Sequence, residues 1–192
     1  VSRGKTGLSV KAKAQGSGGR GEGFAAALLG GAPVAELDGE RLSNGQLLVR
    51  RLDVTGRGLK VQASGGRSLL GAVNLKGRAD ISNLQAARLG ANGAATLEVQ
   101  ASQARPAAPW TFVLDARGDR FAIGLAELDR LLGGKPRVQV QANWQGGRLS
   151  VAKANLDGTS LDVNAAGVME PDRRSEEHTS ELQSRFGISY AV

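Results

Sequence analysis

The chain has no cysteine, one histidine and one tyrosine, and aromatic residues make up only 4% of its 192 positions. Without cysteine it can form neither a disulfide nor a thiolate metal site. No run is apolar for long enough to span a bilayer. No segment has the basic start, apolar middle and small-residue cleavage site of a secretory signal. The chain starts at Val1 rather than at methionine, so a mature or truncated piece is expected.

Glycine, by contrast, is abundant at 28 residues. It follows no collagen-like period and reads as punctuation between elements. The formal charge is +7, a balance compatible with nucleic acid, anionic headgroups or simply a hydrated surface. The distribution of the charges decides among these.

The last residues form a group of their own. The run 174–184, RSEEHTSELQS, resembles the in-frame translation of a common sequencing adapter. Ile188, Ser189, Tyr190, Ala191 and Val192 match its continuation, and Arg185, Phe186 and Gly187 fill the variable index between the two blocks. Two domains are therefore expected: a native part, 1–173, and a non-native tail, 174–192, expected to be disordered. The tail holds His178, the only histidine, beside Glu176 and Glu177, so a metal or acid–base reading of that cluster falls away. Without the tail the chain has 23 basic and 15 acidic residues, a net charge of +8.

Strict apolar–polar alternation, the mark of a half-buried strand, recurs along residues 1–173. Leu8, Val10, Ala12 and Ala14 alternate with Ser9, Lys11 and Lys13. Leu59 and Val61 follow the same rule, as do Val73, Leu75 and Ile81, with Gly77 taking one inward place. Further along come Leu97 and Val99, Phe112 and Leu114, then Val138 and Val140. Leu149 and Val151, and finally Leu161 and Val163, complete the set. Turn signals are read at Gly65-Gly66, Asn92-Gly93, Arg117-Gly118-Asp119, Gly146-Gly147 and Asp157-Gly158. The expected fold is all-β: an elongated, curled, amphipathic antiparallel sheet with one or two short helices. Continuous apolar runs, which a parallel sheet buried on both faces would show, are absent.

Two segments break the alternation. Leu125, Leu128, Leu131 and Leu132 predict a short helix closed by Gly133-Gly134. Phe24–Leu29 predicts a second, ending at Gly30-Gly31. Residues 81–89 fit either type. An internal repeat is also visible. Residues 46–65 align without gaps on 148–167, and LLGGAP at 28–33 resembles LLGGKP at 131–136. Similarity at a long fixed offset predicts a unit that stacks on copies of itself.

Motifs that suggest chemistry are outweighed by structural readings. Residues 16–21 have the G-x-G-x-x-G spacing of a dinucleotide site, with Asp38 downstream. The strand before them carries Lys11 and Lys13 on a solvated face, so a flexible glycine-rich loop is the better reading. Gly4-Lys5-Thr6 resembles the end of a phosphate-binding loop, yet the alternation after it predicts a strand where that motif needs a helix. No serine has a histidine to activate it once His178 is set aside. Carboxylates such as Asp53, Asp80, Asp115, Asp129 and Asp157 are scattered. No catalytic residue, metal site or cofactor is expected, and the chain is read as a non-enzyme. Trp110, Phe112 and Trp144 fall on the apolar side, where core packing is expected. They do not interleave with the basic residues as nucleic-acid readers do, so nucleic acid is not an expected partner.

One face of nearly every strand is thus Leu, Val, Ala or Ile. An aliphatic trough offers no hydrogen-bond specificity and suits alkyl chains. The lining expected for it is Leu59, Val61, Val73, Leu75, Ile81, Leu97, Val99, Phe112, Leu114, Val138, Val140, Leu149, Val151, Leu161 and Val163.

Three stretches carry a resemblance to a known family: LDGERLSNGQLLVRRLDVTGRGLKVQASGG, LKGRADISNLQAARLGANGAATLEVQAS, and LDRLLGG with LSVAKANLDGTSLDVNAAG. In pattern and phrasing, over residues 1–173, the chain resembles the TamB family of AsmA-like translocation and assembly module proteins. The resemblance implies a periplasmic β-taco with a hydrophobic groove in the Gram-negative envelope. It also implies an inner-membrane anchor and a region docking on a TamA-like outer-membrane protein, both in parts of the parent absent here. The implied roles are phospholipid transport between the membranes and outer-membrane biogenesis, with phospholipid acyl chains as partners. This chain would be a mid-groove fragment. The alternative is a surface adhesin or autotransporter-type β-solenoid, against which the long, irregular repeat argues.

Overall fold

The computed structural model of the chain describes residues 7–18, 23–87, 90–170 and 185–191. The phosphate-loop-like Gly4-Lys5-Thr6, the second half of the glycine-rich motif (Gly19, Arg20 and Gly21) and the adapter-like 174–184 lie outside these residues.

The chain folds as one antiparallel sheet in which every strand pairs with its neighbours in sequence. Its elements run β1 (Leu8–Gln15), α1 (Phe24–Leu29), β2 (Val34–Arg41), β3 (Leu47–Thr55), β4 (Leu59–Arg67) and β5 (Val73–Ile81). A 3-10 helix (Leu84–Ala87) leads to β6 (Asn92–Gln103) and β7 (Trp110–Ala122). Then come α2 (Ala126–Leu132), β8 (Arg137–Gln145), β9 (Arg148–Asp157) and β10 (Asp162–Met169). The all-β class, the antiparallel order and the two short helices agree with the sequence. The sheet does not close on itself: among the described residues β1 stands at one end of the strand order.

Register converts the alternation into two faces. One row crosses the sheet as Ala12, Leu37, Leu52, Ala63, Gly77, Val99, Leu114, Val140, Ala154 and Ala165. One residue further along, the row reads Lys13, Glu36, Asp53, Gln62, Arg78, Glu98, Asp115, Gln139, Asn155 and Asn164. The first row contains no polar side chain and the second no apolar one. Bulges between Val49 and Leu52 and between Gln141 and Ala142 restore the phase where the period of two slips.

All helical segments lie at one end of the sheet, between β1 and β2, β5 and β6, and β7 and β8. There they build the main core. Leu28 of α1 is fully buried with Ile81, Leu84 and Ala91, against Leu59, Ala95, Leu97, Phe121 and Ile123. Burying one such leucine contributes roughly 1.5–3 kcal/mol.

The repeat extends further than the aligned segments. In β1-α1-β2-β3-β4 the Gly16 amide donates to the Pro33 carbonyl at 2.8 Å, the Gly58 amide to the Leu28 carbonyl at 2.8 Å, and the Gly56 amide to the Leu59 carbonyl at 2.7 Å. In β7-α2-β8-β9-β10 the same three bonds join Gly118 to Pro136 at 2.9 Å, Ser160 to Leu131 at 2.9 Å, and Gly158 to Leu161 at 2.7 Å. The chain therefore holds two copies of a four-strand, one-helix unit, joined by β5 and β6.

Several sequence expectations are corrected. Gly65-Gly66 is not a turn but lies inside β4, where a Cβ at Gly65 would come 2.3 Å from the Asn74 carbonyl oxygen. The real turn is at 68–72, where the Ser68 amide donates to the Ala72 carbonyl. Asn92-Gly93 opens β6 as a bulge, with Gly93 at φ +96°. Arg117-Gly118-Asp119 lies within β7, and Gly118 is there because Pro136 leaves no space for a side chain. Gly146-Gly147 does turn the chain, between β8 and β9.

Within the tail, which the sequence leads one to expect disordered, Arg185–Ala191 forms β11 antiparallel on β10. β11 takes up the backbone groups that β9 leaves free on the outer edge of β10.

Candidate functional site: an uncovered apolar face

The site is the apolar face itself. Register brings fourteen of the expected lining residues onto it: Leu59 and Val61 from β4, Val73, Leu75 and Ile81 from β5, Leu97 and Val99 from β6, Phe112 and Leu114 from β7, Val138 and Val140 from β8, Leu149 and Val151 from β9, and Val163 from β10. Leu161 lies in the turn before β10, where its carbonyl accepts from Gly158. Leu59, Ile81 and Leu97 belong to the core beneath α1 and serve as its floor. The rest of the face has no second layer over it among the described residues. Leu75 and Val99, three strands or more from either edge, are 42% and 38% exposed.

Aromatic residues gather toward the end away from the helices. Trp110 stacks on Phe112 with ring centroids 6.1 Å apart and 18° between planes. Trp110 also stands opposite Trp144, which is 44% exposed. The core packing expected for Trp144 is thus not what the structure shows, because no layer covers this end of the face.

The opposite face carries the charge. Asp115 accepts hydrogen bonds from Arg137, Arg117 (3.1 Å) and Gln139 (3.2 Å). The Arg137 bond, more than any other contact, holds its carboxyl far below the usual carboxylate range against the opposing effect of partial burial. The carboxyl of Asp80 is lowered by Arg78 and, less, by Thr96. That of Asp53 is lowered chiefly by Gln62, whose Nε2 donates to it at 3.1 Å, with Arg51 adding to the effect. On this face Lys13, Arg78 and Arg137 pair with carboxylates of neighbouring strands, and Arg51 and Arg117 with carboxylates of their own.

A cleft of about 990 Å³ lies at the turn end of this second face, lined by Leu42, Leu48, Gly66, Asn74, Thr111 and Asn143 among others. Of the expected lining residues it includes only Val73. Its signal in the sequence is a row without charge, Leu48, Gly66, Asn74, Ser102, Thr111, Asn143 and Ser150, where other outward rows carry Lys, Arg, Asp or Glu. Among the described residues no three His, Cys, Asp or Glu side chains come together as a metal site would need, and no helix is long and apolar enough to cross a membrane.

The fold and site together define a class: an open antiparallel sheet with one charged face and one aliphatic face left largely bare. No family model, curated protein or solved structure matches the chain.

Proposed function

We propose that the chain is a non-catalytic, TamB-like segment of a periplasmic, envelope-spanning protein. Its sheet curls into a groove whose apolar face carries phospholipid acyl chains between the inner and outer membranes, or supports outer-membrane protein assembly. The observation that carries this reading is the uncovered aliphatic face, continuous over ten strands, with Leu75 and Val99 exposed at its middle. Water against such a surface is costly, and each methylene of an acyl chain laid on it gains roughly 0.8 kcal/mol. The face offers no charged or hydrogen-bonding side chain along its central row, so it would hold tails by length and apolarity rather than by headgroup chemistry.

A photo-crosslinking residue tests this directly. Placed at Val61 or Val163 in protein expressed in a Gram-negative periplasm, it is expected to capture phospholipid. Placed at Gln62 or Asn164, one residue away on the charged face, it is expected to capture none. Equal yields from the two faces, or no lipid from Val61 and Val163, would remove the proposal.

A further inference from the structure

We infer that the uncharged cleft on the second face is a binding site for a linear, neutral glycan. The cleft, of about 990 Å³, runs across β3 to β9, and each of these strands is paired on both sides, so its floor lies wholly inside the sheet. That floor is one cross-strand row in which Asn74, Ser102, Thr111, Asn143 and Ser150 follow one another on β5 to β9. At Gly66 the row has no side chain, because a Cβ there would come 2.8 Å from the Leu47 carbonyl oxygen. Two turns wall the cleft, and both are tied down. In 42–46 the Leu42 amide donates to the Gln46 carbonyl at 2.9 Å and the Gln46 amide to Asn44 Oδ1 at 3.0 Å. In 104–109 the Ala108 carbonyl accepts from Gln103 Nε2 at 2.9 Å and the Ala107 carbonyl from Gln145 Nε2 at 3.4 Å. Leu42, Leu48, Ala104 and Pro109 give these walls apolar surface.

The donors and acceptors of the row select the ligand. An asparagine amide offers two N–H donors and an acceptor, and a hydroxyl both donates and accepts, the same mixed capacity as a sugar hydroxyl. Thr111 Oγ1 donates to Asn143 Oδ1 at 3.1 Å. Among the described residues the side chains of Asn74, Ser102 and Ser150 have no such partner. Charge is missing from the floor: Arg67, the one charged residue lining the cleft, stands opposite Leu47 and Val73, in the register of the aliphatic face. A charged ligand would lose water here without gaining a counter-charge, whereas neutral hydroxyls exchange water for equivalent bonds. Neighbouring strands set the polar groups roughly 4.8 Å apart, close to the advance per sugar of an extended glycan, so successive rings each meet one strand. The apolar walls then face ring C–H groups. An extended peptide fits less well, because it binds a sheet through free main-chain groups, and those of β3 to β9 are engaged in ladders on both sides. The site lies on the face opposite the aliphatic one and does not rest on the lipid reading.

The test is calorimetric titration of the full chain with cellohexaose, maltohexaose and chitohexaose. At least one is expected to bind saturably, and at least tenfold more tightly than its own disaccharide. Hexagalacturonate, of the same length but charged, is expected to bind at least tenfold more weakly. Asn74→Ala and Ser102→Ala should each weaken the neutral glycan about fivefold or more, with thermal melts showing that both variants fold. Lys153→Ala, on the same face but outside the cleft, should leave binding unchanged. Absent binding of all three neutral glycans, equal binding of hexagalacturonate, or indifference to both substitutions in the row would overturn the assignment. So would tighter binding of an uncharged extended hexapeptide, since a polypeptide would then be the occupant.

Discussion

The two copies of the repeated unit share their backbone bonds and differ in what holds the helix down. Neither helix has a side-chain cap at its first turn; in the first copy Leu28 of α1 is fully buried, packed with Leu84 of the 3-10 helix. In the second, the corresponding Leu131 is only half-buried and Leu132 turns inward instead. There Asp129 ties α2 to the chain before it, accepting from the Ile123 amide at 2.7 Å and the Gly124 amide at 3.1 Å. The conserved part of the unit is thus main-chain geometry, while the side-chain solution depends on the neighbouring strands. Stacking units tolerate this, because each needs only to match the edge beside it.

The comparison can be broken from either side. Leu28→Ala should have the largest effect, about 2–5 kcal/mol, since it empties the only fully buried large side chain among the described residues. Leu131→Ala should cost clearly less, and urea unfolding of the two variants checks the order. Asp129→Ala should cost about 1.5–3 kcal/mol by freeing two amides at the entry to α2, with faster hydrogen exchange at Ile123 and Gly124. Equal fraying at α1 in that variant would contradict independent anchoring.

The glycines at the paired turns sharpen the point. A Cβ at Gly56 would lie 2.5 Å from the Leu29 Cα, and one at Gly158 would lie 2.8 Å from the Leu131 carbonyl oxygen and 3.0 Å from the Leu132 Cα. Gly56→Ala and Gly158→Ala should therefore destabilise by about 1–3 kcal/mol, with Gly56 the worse. The smallest effect expected is on pH dependence. Asp115 and Asp80 have carboxyls depressed in the folded state, so their contribution is present above the unfolded pKa of roughly 4. It is lost as pH falls through the lower folded values. Asp115→Asn should flatten this acid limb in thermal melts between neutral pH and pH of about 2.

The strands were legible because the period of two survives in Leu, Val and Ala against Lys, Gln and Asn. The helices were legible from leucine spacing and the glycines after them. Gly65-Gly66, Asn92-Gly93 and Gly118 misled, because glycine marks both a turn and a place where another backbone or proline ring comes too close for a Cβ. Local sequence does not distinguish the two; the neighbouring strand does. The expected lining residues met on one face as read, yet which of them a core would cover depended on α1 folding back over Leu59, Ile81 and Leu97. The uncharged cleft on the other face was missed because its row is spread over seven strands, one residue from each.

The native tryptophans offer the most direct measurement of the central claim. Trp144 is 44% exposed on the apolar face, opposite Trp110. Phospholipids brominated along the acyl chain quench tryptophan only on contact. If the face takes acyl chains, brominated lipid should quench the fluorescence of the chain in a saturable way, unbrominated lipid should not, and a charge at the middle of the face, Val99→Glu, should abolish the effect while the fold persists. Fluorescence unchanged by brominated lipid in the folded protein would contradict the account.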